Sequence, residues 1–275
     1  MTTAECQVEA LFVYPFKSAR GHAKSAVRVS ATGFEWDRNW MAVDSHGKFL
    51  SQRTHPKLAQ LVPEITTEAL VLRAPELPDL SVPLKRIAEP RVAVRVWDDA
   101  CAGIDEGDGP AQWLSRFLSQ DVRMVRILPQ PERLANPEYA GSEPKPVSFV
   151  DGFQMLVCNR ASLEDLNTRM PEPVPMERFR PNLVLSGLPA FAEDRIDCLH
   201  LGEITLRLVK ACTRCIITST DQQTGELTTN PLPVLRTFRF DRALHGVTFG
   251  ENAIIVSGSG ALLERGCLAK VTFDS

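Results

Sequence analysis

"AVRVSATGFEWDRNWMAVDSHGKFLSQR", residues 26–53, decides the fold class of this chain. Its apolar residues fall in short runs separated by turn formers, without the period of about 3.6 that marks an amphipathic helix. Strands are expected at Val27–Val29, Trp40–Val43 and Lys48–Ser51, with Gly33 and Ser45-His46-Gly47 supplying the turns. "ALVLRAP" (69–75) and "RVAVRVWDD" (91–99) continue the pattern, and Val92, Val94 and Val96 alternate onto one face. Short strands at this spacing point to a barrel or a sandwich.

Helical signals come later and are few. "GDGPAQWLSRFLSQ" (107–120) reads as a helix, with Pro110 in the first turn and Trp113, Leu114, Phe117 and Leu118 on one face. The Pro-rich stretch Pro129–Pro146 has little periodicity and reads as a surface loop. Beyond it the pattern predicts a strand at Met155–Cys158 and a helix capped near Asn159 that carries Leu163 and Leu166. Further strands are expected at Leu183–Leu185, Ile204–Val209, Cys215–Thr220 and Ala253–Val256. The expected class is β-rich α+β, divided near residue 120 into an N-terminal β-barrel-like domain (1–120) and a second barrel domain with a few helices (121–275).

The totals set limits on function. The chain has 275 residues, of which 44% are hydrophobic and 24% charged, as in an ordinary globular protein. A net charge of −3 argues against non-specific nucleic-acid binding, which phosphate neutralisation drives, but leaves room for a local basic pocket. No apolar run reaches the roughly 18 residues of a membrane span, and "MTTAECQVEALFVYPFKS" has no secretory leader pattern. The seven cysteines are odd in number and mostly scattered, so reduced thiols in a cytoplasm are the expectation.

"KACTRCIITSTDQQTG" (210–225) holds the chemistry-bearing pair, Cys212 and Cys215. A thioredoxin-type dithiol needs a helix after the second cysteine, whereas Ile216–Thr220 is β-branched and reads as strand. If the extension begins at Cys212, a separation of three turns the two thiols to opposite faces. A structural zinc site would need a second close pair, and His200 and His245 are isolated. Two buried, inert cysteines are the plain alternative. Arg214 beside Cys215 favours a thiolate, and other cationic segments lie along the chain. They are "YPFKSARG" (Lys17, Ser18), "EWDRNWM" (Arg38), "FLSQRTHP" (Arg53) and "MERFRPNLVLSG" (Arg178, Arg180, Asn182). In "RFRPN" the proline favours extended backbone at Arg180, which would fix a guanidinium beside an apolar strand.

"YPFKS", "DRNWM", "RFRPNLVLSG" and "RCIITSTDQQTGE", in that order, resemble the MOSC family, from about Val8 to the C-terminus. More narrowly the chain is similar to the branch with an N-terminal MOSC β-barrel domain, which includes the amidoxime-reducing components. The resemblance implies a β-rich fold that binds a molybdopterin-type cofactor between two lobes, with Cys215 ligating molybdenum. It implies that Lys17 and Ser18 hold the pterin phosphate, and that Arg38, Arg178, Arg180 and Asn182 contribute to the site. Arg53, Arg214, Ser148 and Asn159 are further cofactor contacts on the same reading, and Cys212 is left outside the metal's ligands.

The implied activity is reduction of N-hydroxylated compounds, such as amidoximes, hydroxylamines and N-hydroxylated bases. Asp37 and His22 are the candidate proton donors. No four-cysteine iron–sulfur pattern and no G-x-G-x-x-G fingerprint is legible, so electrons are expected from a separate iron–sulfur or haem protein with its own flavin reductase. The competing reading is a carrier of sulfur or molybdenum cofactor, with a persulfide on Cys215.

Overall fold

The computed structural model describes residues 3–85 and 90–274. It is strand-rich, with 41% strand and 18% helix. Seven strands close into a barrel, in the order Met155–Asn159, Leu183–Ser186, Thr3–Val13, Leu268–Phe273, Ile196–Leu201, Ile204–Thr213 and Gly246–Ser257. The last pairs back onto the first through Met155–Ala253 and Val157–Glu251, so no edge is left open within the ring. Every neighbouring pair is antiparallel except Met155–Asn159 with Leu183–Ser186, and the helix Arg160–Thr168 lies in the connection between those two. Val8, Val157, Leu185, Leu206, Ala253 and Val271 belong to one buried apolar cluster of this barrel.

The second lobe is built largely from the intervening chain. Trp40–Val43, Arg123–Ile127, Asp99–Asp105 and Arg91–Val96 form one antiparallel sheet, and Val62–Ile65, Ala69–Arg73 and Leu80–Pro83 form another. The helix Asp108–Leu118 buries Trp113, Leu114 and Phe117 in a cluster with Trp40, Leu58, Leu70 and Leu72. Each such side chain contributes about 1.5–3 kcal/mol when fully buried. The lobes interleave along the chain: Thr3–Val13 sits inside the C-terminal barrel, and Arg123–Ile127 completes the sheet of the other lobe. The chain crosses between them immediately after Val13, which sets Tyr14–Ser18 at the seam.

Two expected strands are replaced. Lys48–Ser51 forms only isolated bridges, Phe49 with Val43 and Lys48 with Arg95, because its pairing ends after a single residue on each side. Cys215–Thr220 is not a strand at all. Ile216–Ser219 is a 3-10 turn, in which the Thr218 N–H (3.1 Å) and Thr218 hydroxyl (3.0 Å) both donate to the Cys215 carbonyl. A threonine hydroxyl that returns to the carbonyl three residues back offsets the cost of β-branching there. The loop Pro129–Pro146 also contains a short helix, Pro137–Ala140, capped by the Asn136 side chain.

Candidate functional site

One cleft gathers most of the residues singled out in the sequence. Lys17, Ser18, Arg38, Arg53, Arg180, Asn182, Arg214 and Cys215 all line it. Five cations therefore face one another across the seam, and among the described residues Asp151 is the single carboxylate in the lining. Four residues of the lining have left-handed backbone: Ser18 (φ 64°), Arg38 (50°), Trp97 (56°) and Arg180 (56°). Such backbone at non-glycine residues costs of order 1–3 kcal/mol each and persists where surrounding structure holds it. Arg180 is thus not extended as its following proline favours; it caps the 3-10 turn Met176–Phe179 in the left-handed region.

Each cation is held by named partners. Lys17, 5% exposed, donates from Nζ to the Phe149 carbonyl (2.7 Å) and to Asp151 Oδ1 (2.6 Å). Burial pulls the Lys17 ammonium below its ordinary pKa, with Asp151 opposing. The Asp151 side chain stays largely open to solvent, and Lys17 and the Trp97 indole, which donates at 3.0 Å, hold its carboxyl well below the usual range. Arg38 pairs with the buried Asp37, and its guanidinium stands 4.1 Å from the Tyr14 ring centroid, with Arg180 at 4.4 Å from the same ring. Burial, reinforced by the Arg38 charge, pushes Arg180 down to about 10. Arg53 lies 4.3 Å from the Trp97 ring centroid. Among the described residues Arg53, Arg180 and Arg214 have no carboxylate within salt-bridge distance, and the buried Arg214 Nε has no hydrogen-bond partner.

Both cysteines of the pair line the cleft, which corrects the expectation that Cys212 faces elsewhere. The strand ends at Thr213, so strand alternation does not run from Cys212 to Cys215. Arg214 Nη1 donates to Cys212 Sγ at 2.8 Å, and its Nη2 to the Phe179 carbonyl at 2.6 Å. Burial raises the Cys212 thiol, and Arg214 offsets part of that shift.

Three candidate contacts lie outside the lining. Arg178 is 5% exposed and donates to Thr228 Oγ1 (2.6 Å) and to the Thr229 (3.3 Å) and Thr218 (3.5 Å) carbonyls, so it braces the Cys215 turn from behind. Asn159 accepts from Ala161 N–H as the cap of the helix Arg160–Thr168 and donates to the Pro189 carbonyl. Ser148 is fully buried, and its hydroxyl has no partner among the described residues. Asn182 does line the cleft, but its amide is engaged by Leu156 N–H and the Phe12 carbonyl, stitching two barrel strands together. Asp37 accepts from Tyr14 N–H (2.8 Å) and pairs Arg38, and His22 sits on the short strand His22–Lys24; neither lines the cleft.

Sequence reasoning missed Asp151 and Trp97. Asp151 reads as an Asp-Gly turn, and no local spacing ties it to a lysine 134 residues earlier. The "DQQTG" segment ties the two lobes together. Gln222 exchanges hydrogen bonds with Gln52 (3.1 and 2.9 Å) and accepts from Arg180, while Arg20 donates to the Gln222 and Gln223 carbonyls. These contacts pin the Cys215 loop onto the other lobe.

A MOSC N-terminal beta barrel domain matches residues 5–121, and a MOSC domain matches residues 144–265. The Bos taurus mitochondrial amidoxime reducing component 2 is 34% identical over 241 residues, covering 84% of this chain and 72% of that protein. The Mus musculus and Homo sapiens mitochondrial amidoxime-reducing components 1 are each 33% identical, covering 87% and 90% of this chain and 74% and 78% of theirs. With both domains matched in order and that identity sustained over most of its length, the chain belongs to the MOSC family.

Proposed function

We propose that this protein is a molybdenum cofactor-dependent reductase of N-hydroxylated compounds, supplied with electrons by a separate iron–sulfur or haem protein and its flavin reductase. The observation that carries the reading is the convergence of Cys215 and five cations on one cleft, with a single carboxylate among the described residues of its lining. That donor set fits the cofactor: a phosphate-bearing pterin needs fixed cations, and three guanidiniums here lack carboxylate partners among the described residues. Arg214 Nε, buried without an acceptor, fits the same demand. Cys215 would ligate the metal, a soft thiolate suiting a metal already bound by sulfur. Lys17, Ser18, Arg38, Arg53, Arg180 and Arg214 would hold the anion.

When bound, the cofactor supplies two-electron chemistry at the N–O bond. The overall change is N–OH plus two electrons and two protons, giving N–H and water. Asp151, ionised by the Lys17 ammonium, can accept a hydrogen bond from an amidoxime N–H, and Phe49 and Trp97 provide apolar wall beside it. Arg178 and the Gln52–Gln222 pair hold the Cys215 turn in register with the opposite lobe. All seven cysteines are free, which fits a reducing cytoplasm. Among the described residues no helix is long and apolar enough to cross a membrane.

Metal analysis of purified protein, followed by amidoxime turnover with a reduced viologen, tests this reading. Stoichiometric molybdenum and viologen-driven turnover are expected, with no turnover from NADH or NADPH alone. Cyanide-releasable sulfur without metal would replace the reductase with the Cys215 carrier.

A further inference from the structure

On another face of the barrel, a cavity of about 430 Å³ is lined by Asp194, Asp241, Glu251 and Asp274, against the two cations Lys210 and Arg239. That volume lies within the range of small-molecule sites, about 300–1,000 Å³. The cations are already engaged. Arg239 Nη2 donates to Asp194 Oδ1 at 2.8 Å in a two-point pair, and Lys210 Nζ lies 4.1 Å from the Tyr139 ring centroid. Asp241 accepts from Leu244 N–H at 2.9 Å.

Glu251 differs from the others. It is 6% exposed and contributes to the cavity wall, and its carboxyl makes no hydrogen bond or ion pair among the described residues. It occupies the middle of the barrel wall, in register with Val157 on one side and Ala211 on the other. A carboxyl of a largely buried residue that meets the cavity and, among the described residues, no protein partner favours a group that brings both positive charge and N–H donors.

We propose that this cavity binds a small organic cation bearing N–H donors, a primary ammonium or a guanidinium-type group, with Glu251 as its counter-ion and Asp241 and Asp274 at the rim. The site is separate from the Cys215 cleft and does not depend on the reductase reading. The groups around Glu251 come from every neighbouring element: Glu193 and Asp194 from the 3-10 turn Ala192–Arg195, Arg239 and Asp241 beyond the helix Leu232–Phe238, Lys210 and Cys212 from Ile204–Thr213, Cys158 from Met155–Asn159, and Asp274 after the last strand. Burial, reinforced by Asp194 and Glu193 and opposed by Arg239, raises the Glu251 carboxyl to about 9. It is therefore protonated at neutral pH before the cation arrives, and seating the cation expels that proton.

Titration calorimetry with methylguanidinium and with butylammonium, in two buffers of different ionisation enthalpy near neutral pH, tests the site on the full chain. Saturable binding is expected with release of up to about one proton per cation. Tetramethylammonium, which has the charge but no N–H donors, should bind about tenfold more weakly or worse. Glu251→Gln, checked for folding by circular dichroism, should weaken methylguanidinium by about tenfold or more and abolish the proton release. No saturation at millimolar probe, binding of wild type without proton release, or wild-type affinity in folded Glu251→Gln would each overturn the proposal. The proton count needs only wild-type protein, so it decides the matter even where the variant does not fold.

Discussion

Arg214 Nη1 lies 2.8 Å from Cys212 Sγ, so the arginine next to Cys215 in sequence spends its donor on the other cysteine. The thiol of Cys212 acts as an acceptor that orients a cleft guanidinium, and Cys215 stands at the start of the adjoining turn without that contact. The two cysteines therefore share a cleft and differ in role.

Substitution should separate them. Cys215→Ser is expected to lose molybdenum and amidoxime reduction, because a serine oxygen is a harder ligand than a thiolate. Cys212→Ser should keep metal and most activity, since a hydroxyl can still accept from Arg214. Equal loss of metal in both variants would contradict the single-ligand account.

Arg180 and Arg178 are two residues apart and should fail differently. Arg180→Ala should fold and retain less pterin, with about ten- to over a hundredfold weaker affinity for loss of one charge-assisted contact of about 1.5–3 kcal/mol. Arg178→Ala removes one hydrogen bond from the back of the Cys215 turn, at the Thr218 carbonyl, and two from Thr228 and Thr229, and should lower the melting temperature even in cofactor-free protein. Pterin content after dialysis and calorimetric melting distinguish the two. Wild-type retention in Arg180→Ala would take it out of the site.

Gly250→Ala should be among the most damaging single-methyl changes. Gly250 has φ +75°, and an added Cβ would stand 2.6 Å from Cys158 Sγ and 2.8 Å from the Val157 carbonyl. Left-handed strain and overpacking together should cost about 2–4 kcal/mol. Denaturant unfolding measures it, and a change under about 0.5 kcal/mol, the size of an ordinary surface substitution, would show that the barrel wall yields there.

Stability should depend on pH through Glu251. Its carboxyl is raised from an ordinary value of 4.5 to about 9 by burial and by Asp194 and Glu193, so the folded state binds the proton more tightly than the unfolded chain. Its contribution is complete below the ordinary carboxyl range and is lost as pH climbs toward about 9. Glu251→Gln does not titrate, so its melting temperature should gain on wild type steadily from mildly acidic to alkaline buffer. A difference that stays constant over that interval would mean the carboxyl is not buried as described.

Much of the molecule was legible in local pattern. The alternation of Val92, Val94 and Val96, the helix over Trp113–Leu118 and the Asn159 cap depend on neighbours within a few residues, and each recurs in the structure. The Cys215 segment was not, because the β-branched preference of Ile216–Thr220 gives way to a hydroxyl bond from Thr218 and to the bracing of Arg178, forty residues upstream. Arg180 adopts left-handed backbone against the preference imposed by its proline, in a pocket shared with Arg38 and Tyr14.

The succession of strands along the chain, the cationic motifs and the cysteine pair are properties of the sequence itself, since they rest on side-chain period and residue chemistry. Tertiary structure alone decided that Thr3–Val13 enters the C-terminal barrel, that Lys17 meets Asp151, and that Cys212 shares the cleft with Cys215. Those outcomes depend on closing a ring between strands more than two hundred residues apart, and no local preference encodes which distant backbone completes the hydrogen-bonding of a given strand.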